Sequence, residues 1–194
     1  MVSFLVCYGS GEGQTAKVAD RIVETLVGRG HDAAAVDAEA VPADLDVEEF
    51  DAVLVGASVH GGSHQTGVRE FVTANRDALA ARPTAFFQLS LSSAVDDEER
   101  RARAAAYVDE FLEATGWHPD RVGLFGGALR YSKYGFLKRL VMKQIAKRAT
   151  GDTDASRDYE YTDWREVASF AADFAAFVER RLGETPPDAG GYGT

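Results

Sequence analysis

Between Gly9 and Thr15 the chain reads Gly-Ser-Gly-Glu-Gly-Gln-Thr, three glycines and two hydroxyls in one short stretch. Small residues let backbone N–H groups crowd around an anion, and a helix starting directly behind them adds the positive end of its dipole. The chemistry such a stretch can do is phosphate binding. Gly13-Gln14-Thr15 lacks the lysine of a nucleoside-triphosphate loop. Gly9, Gly11 and Gly13 run as G-x-G-x-G, where a dinucleotide fingerprint needs G-x-G-x-x-G. What remains is a lysine-free cradle, Ser10, Gly11, Glu12, Gly13, Gln14 and Thr15, suited to one terminal phosphate monoester. No lysine or arginine precedes Lys17, so backbone dipoles must carry most of the dianion's charge. An ordinary glycine-rich strand-to-helix turn would have the same letters, and the loop alone does not separate the two.

Two further stretches have small and polar residues where a site could form. One is Ala57-Ser58-Val59-His60-Gly61-Gly62-Ser63-His64, the other Ser90-Leu91-Ser92-Ser93-Ala94-Val95. His60 is either a polar neighbour of a bound ligand that supplies or removes a proton, or a solvated loop histidine. His60 and His64 have no cysteine or spaced carboxylates beside them, so no metal site is expected. His118, before Pro119, and Trp117 read as structural. Cys7 falls in an apolar run and reads as a small buried hydrophobe; alone, it can form no internal disulfide.

The elements that must position these loops are legible as hydrophobic periodicity. Phe4 to Tyr8 is a strand, and Ala16, Val18, Ala19, Ile22, Val23, Leu26 and Val27 then recur at helical spacing. Ala33–Val36 is a weak second strand, followed by a loop over 41–49. Phe50–Gly56 is a strongly apolar third strand, Gly67–Leu79 a helix, and Thr84–Leu89 a fourth strand. Asp96–Ala114 is a charged helix, Arg121–Phe125 a fifth strand and Trp164–Arg181 a last helix, with Asp163 as its N-cap and Glu166 three residues on. Tyr161 and Trp164 are expected to anchor that helix on the sheet. The alternation implies an α/β chain with a parallel sheet covered on both faces. All three candidate loops follow strands of that sheet and so converge on one edge.

The chain has 194 residues, 45% of them hydrophobic, enough for one substantial core. One domain is expected over 1–182, with an insertion at about 130–158 and a disordered tail over 183–194. No run is long enough to span a bilayer and no signal peptide precedes the first strand, so the expected location is the cytoplasm. Net charge is −10, with 31 acidic residues against 21 basic ones, only five of them lysine. That sign argues against general nucleic-acid binding. An acidic, lysine-poor, alanine-rich surface suits a salt-rich cytoplasm; GC-rich codon usage would leave the same trace.

Residues 129–148 are unlike the rest: they hold seven of the 21 basic residues and no acid. Phe136, Leu137, Leu140, Val141, Gln144 and Ile145 share one helical face, flanked by Lys138, Arg139, Lys143, Lys147 and Arg148. Such a helix could lie on anionic lipid at the inner face of the cell membrane. It could equally pack its stripe on its own sheet with the cations in water.

Taken together, Gly9–Thr15, Val55–Val59, Glu70-Phe71-Val72, Trp117–Arg121, Gly127-Ala128-Leu129-Arg130-Tyr131 and Tyr161-Thr162-Asp163-Trp164 make the chain resemble the flavodoxin superfamily. It looks closest to the menaquinone-dependent protoporphyrinogen IX dehydrogenase family, over about residues 3 to 175. The glycine loop is common to flavodoxins, whereas the Gly-Ala-Leu-Arg-Tyr and Tyr-Thr-Asp-Trp segments are more specific to this branch. The resemblance implies a flavodoxin-like three-layer sandwich with strand order 2-1-3-4-5 and FMN as cofactor. It puts the ribityl phosphate on Ser10–Thr15, and Ala57, Ser58, Val59, His60 and Gly61 together with Ser90, Leu91 and Ser92 beside the isoalloxazine ring. It also implies that the insertion serves substrate and quinone access. Arg130 would sit near the crevice and pair with a porphyrinogen propionate, and Tyr131 would stack on macrocycle or flavin. Electron-carrier flavodoxins sandwich the flavin between loop aromatics, whereas these loops offer Val59, His60 and Leu91. A less covered ring leaves room for an organic substrate and favours a two-electron enzyme. The expected activity is oxidation of protoporphyrinogen IX with a quinone acceptor; the alternatives are an NAD(P)H–quinone reductase and a one-electron carrier.

Overall fold

The computed structural model describes residues 1–94, 98–129 and 158–183. Five parallel strands form one sheet: β1 (Ser3–Gly9), β2 (Asp32–Asp37), β3 (Ala52–Ser58), β4 (Thr84–Ser90) and β5 (Arg121–Gly126). Their spatial order is β2-β1-β3-β4-β5, as expected. Every residue of β3 and β4 is buried, because a central parallel strand is covered on both faces and reads as a continuous apolar run.

Helices α1 (Gln14–Gly28) and α5 (Trp164–Leu182) cover one face, where Phe4, Leu54, Phe87, Phe125 and Phe174 meet Ile22, Leu26 and Val178. On the other face lie α2 (Thr66–Ala74), α3 (Arg76–Ala80) and α4 (Glu98–Thr115). There Phe86 stacks on Phe111 at 4.9 Å and meets the edge of buried Trp117 at 6.0 Å. His118 is exposed. Cys7 lies wholly inside this second core, and burial pushes its thiol pKa far up, so it is packing and not a nucleophile.

Two boundaries differ from the sequence reading. The single helix expected over 67–79 breaks at Asn75, whose side-chain amide donates to the Phe71 carbonyl at 2.9 Å and ends α2 there. A small antiparallel pair, β6 (Ala128–Leu129) with β7 (Tyr159–Glu160), was not expected at all. Asp163 does cap α5, accepting from the Arg165 and Glu166 N–H groups. The basic stripe, the residues Arg130 and Tyr131, the bulk of the expected insertion and the tail from 184 on lie outside the described residues.

Register decides what stands at the carboxyl edge. Gly9 pairs with Ala57, Ser58 with Leu89 and Ser90 with Gly126. The loops after β1, β3 and β4 therefore leave the sheet side by side, where the chain direction of successive crossovers reverses and ligands of open α/β sheets bind.

Candidate functional site at the carboxyl edge of the sheet

The loop after β1 reaches α1 through Gly13, whose φ of 92° lies in the left-handed region that glycine tolerates. Ser10 Oγ accepts from the Gly13 N–H at 3.0 Å and holds the loop curled. No side chain caps α1, so the N–H groups of its first turn face the edge without an intrahelical partner. Thr15 is 1% exposed, and its Oγ1 is buried with no hydrogen-bond partner. An unpaired buried hydroxyl costs free energy unless a ligand satisfies it. A helix N-terminus and an unsatisfied hydroxyl together fit a phosphate oxygen.

Gln14 is held from outside the loop. Its side-chain amide donates to Thr162 Oγ1 at 2.9 Å, and that hydroxyl donates to the Gly126 carbonyl at 2.7 Å. Tyr161 and Gly127 continue the clasp, the Tyr161 N–H donating to the Gly127 carbonyl and the Gly127 N–H to that of Ser90, each at 3.0 Å. The β6–β7 pair thus ties the end of β5 to the start of α1. Lys17, the first cation of the chain, is exposed and pairs with Glu160 at 3.5 Å.

The loop after β3 is a tight reversal. His60 and Ser63 exchange backbone hydrogen bonds across Gly61 and Gly62, both with positive φ, the signature of a type I′ turn. Gln65 braces its start: its amide oxygen accepts from the Ser58 N–H at 3.1 Å while its amide nitrogen donates to Ser58 Oγ. His60 is exposed at the edge, its ring against Gly11 of the first loop. His64 points the other way. Its ring is buried between Phe86 and Phe111, and Nε2 bonds Gln88 Oε1 at 2.7 Å. The Gln88 amide nitrogen in turn donates to the Ala104 carbonyl of α4 at 2.9 Å.

Burial lowers the His64 pKa from 6.5; the nearby Arg69 charge lowers it further, and the Gln88 bond opposes both. The unfolded chain therefore takes up a proton around pH 6.5 that the folded one refuses. The stability contributed by neutral His64 is full above that pH and is lost as pH falls through it. Urea midpoints from pH 7.5 to 5 should show a His64→Gln variant less stable than wild type at neutral pH, with the gap closing in acid. A gap constant with pH would contradict the assignment.

A cavity of about 400 Å³ opens between these loops, within the usual size of small-molecule sites. The first loop lines it through Ser10, Glu12, Gln14 and Thr15, the second through Ser58, Val59, His60 and Gly61, the third through Ser90, Leu91 and Ser92. The other expected positions sit behind it: Gly11 and Gly13 shape the first loop, and Ala57 is buried within β3. Seven lining residues were not among the expected ones: Gly62, Leu89, Gly127 and Ala128 adjoin the three loops and the end of β5, and Arg100, Arg103 and Tyr107 enter from α4. For those on α4, the spacing of three and four residues was the available signal. The loops are free of aromatic residues, as read, but Tyr107 brings a ring to the cavity. Among the described residues no three His, Cys, Asp or Glu gather as metal ligands.

The chain matches the Flavodoxin domain family over residues 5–156. It is 31% identical over 176 residues to protoporphyrinogen IX dehydrogenase [quinone] of Escherichia coli K12, covering 91% of this chain and 96% of that protein. It is 32% identical to the Leishmania major protein of the same name, covering 89% of this chain and 74% of that one. Among solved structures it is similar to a short-chain flavodoxin associated with a PDU bacterial microcompartment (TM-score 0.55, 15% identity, 92% of this chain and 99% of that one). A flavodoxin from the domain Archaea is similar too (TM-score 0.53, 17% identity, 91% and 99%). At such identities the two structures speak for the fold.

Proposed function

The chain belongs to the flavodoxin domain family and takes FMN as its cofactor, and from that premise we propose that it oxidises protoporphyrinogen IX to protoporphyrin IX with a quinone as electron acceptor. The observation that carries this reading is the likeness, over about nine tenths of this chain, to dehydrogenases of Escherichia coli and Leishmania major named for that reaction.

The residues present suit the cofactor. Thr15 Oγ1, Ser10 and the first turn of α1 would hold its phosphate, answering the unpaired hydroxyl. The loops after β3 and β4 would flank its ring, with Ser58 fixed by Gln65 and Ser90 by Ser93. When bound, FMN would supply two-electron redox chemistry at this edge. The protein contributes position and access. His60 lines the cavity with its backbone pinned to Ser63, which supports a role in taking or giving the proton that accompanies the redox step.

Among the described residues no helix is long and apolar enough to cross a membrane. The apolar and basic pattern of 130–148 supports a peripheral contact with anionic lipid, the phase in which a quinone resides.

The test is anaerobic turnover: FMN-loaded protein, protoporphyrinogen IX and a menaquinone analogue, followed by porphyrin fluorescence. Fluorescence that requires both FMN and quinone is the expected result. Bound FMN with no porphyrin formed, together with NADPH-driven quinone reduction, would move the function to a reductase. Bound FMN with neither activity would leave a one-electron carrier.

A further inference from the structure

The cavity has a cationic wall that neither the phosphate loop nor the flavin-flanking loops account for. Arg100, Arg103 and Tyr107 line it from α4, in a chain whose net charge is −10. Ala104, Val108, Phe111 and Thr115 bury the adjacent stripe of the same helix against the sheet, so the arginine side is held toward the edge. The Gln88 bond to the Ala104 carbonyl fixes that rotation, and the Phe111 ring against His64 and Phe86 secures it. Glu98 and Glu99, in the first turn of α4, are exposed and do not line the cavity. Arg103 has no carboxylate partner among the described residues.

This wall is not part of the phosphate cradle. The cradle follows β1 and packs on one face of the sheet, whereas α4 follows β4 on the other face. Two strand spacings separate β1 from β4, roughly 10 Å. A terminal phosphate seated at the N-terminus of α1 leaves the Arg103 guanidinium for a second ligand, with Arg100 lining the same cavity.

We propose that the Arg100–Arg103–Tyr107 side of α4 is the carboxylate-recognising wall of the substrate site, an inference that rests on the porphyrinogen reading above. Protoporphyrinogen IX carries propionates on neighbouring pyrroles and is otherwise apolar. A guanidinium fork binds a carboxylate through paired N–H donors, which a lysine cannot reproduce. Tyr107 adds a flat ring against which the macrocycle edge can lie. The wall would hold the substrate by its acid groups.

The experiment compares protoporphyrin IX with its dimethyl ester, in which both carboxylates are capped, as ligands of the FMN-loaded protein. Binding is read by fluorescence quenching, and FMN affinity is measured on every variant as a check of folding. The wild type is expected to prefer the diacid by about tenfold, a value set by one or two partly exposed charge-assisted contacts. Arg103→Gln should shrink that preference, the Arg100→Gln/Arg103→Gln pair should abolish it, and Arg103→Lys should keep only part. Because the ester comparison needs no mutation, equal affinity of wild type for the two ligands would by itself overturn the proposal. A wild type that oxidises protoporphyrinogen IX while the double variant keeps its diacid preference would remove the wall and leave the function standing. A wild type that neither binds nor oxidises the tetrapyrrole would remove both.

Discussion

Replacing Thr15 with Val should make the apoprotein more stable and the FMN complex weaker. Threonine and valine have nearly the same shape and similar helix propensity, so packing at this 1% exposed position is kept. What changes is a buried hydroxyl with no partner in the protein. Its desolvation costs about 1–3 kcal/mol in the empty site, and valine removes that cost. In the complex the same hydroxyl would donate to a charged phosphate, a contact worth about 1.5–3 kcal/mol, or roughly ten- to a hundredfold in affinity. Apo melting temperature should therefore rise and the FMN dissociation constant should rise with it. Riboflavin, which lacks the phosphate, should bind the two proteins alike. A variant that loses apo stability and keeps its FMN affinity would make Thr15 a structural residue and remove the phosphate from this loop.

Gly56→Ala should be strongly destabilising, although it adds only one methyl to the sheet. Gly56 pairs with Phe87 across β3 and β4, and a Cβ there would overlap the Phe87 ring. The ring cannot yield easily. It is fully buried in the first core and lies against Phe125 at 6.5 Å. Overpacking of this kind costs about 3 kcal/mol or more when a ring must leave its rotamer. β3 would shift, and with it Ser58 two residues on, so FMN affinity should fall as well. Shortening the partner in Gly56→Ala/Phe87→Leu should recover part of the loss, and a double-mutant cycle on urea midpoints measures the coupling. A Gly56→Ala protein within about 0.5 kcal/mol of wild type, the range of an uninvolved surface change, would contradict this account of the close approach.

The sheet was legible because β1, β3 and β4 are apolar on both faces and end in small polar residues, a pattern that needs no tertiary information. The convergence of three loops followed from the alternation of strands and helices. The β6–β7 clasp was not legible, since two-residue strands carry no periodicity. The role of Thr162 was hidden with it: the Tyr-Thr-Asp-Trp segment was noticed, but a bond to Gln14, 148 residues away, is a property of the folded chain. Arg100 and Arg103 were missed for another reason. On a helix as charged as α4 they read as a solvated face, and only the placement of α4 beside the end of β4 turns them toward a cavity. His64 was grouped with His60 by proximity in sequence, and the type I′ turn between them sends one ring to solvent and the other to the core.

In the proposed function, electrons leave a porphyrinogen through FMN held at this edge. The most direct test is an anaerobic titration of the FMN-loaded protein with protoporphyrinogen IX, reading flavin absorbance and porphyrin fluorescence together. With protoporphyrinogen IX kept substoichiometric, about three flavins should bleach, two electrons each, for every porphyrin whose fluorescence appears, and a menaquinone analogue should restore the absorbance. Flavin that stays oxidised under protoporphyrinogen IX, yet bleaches with NADPH, would contradict the proposed function.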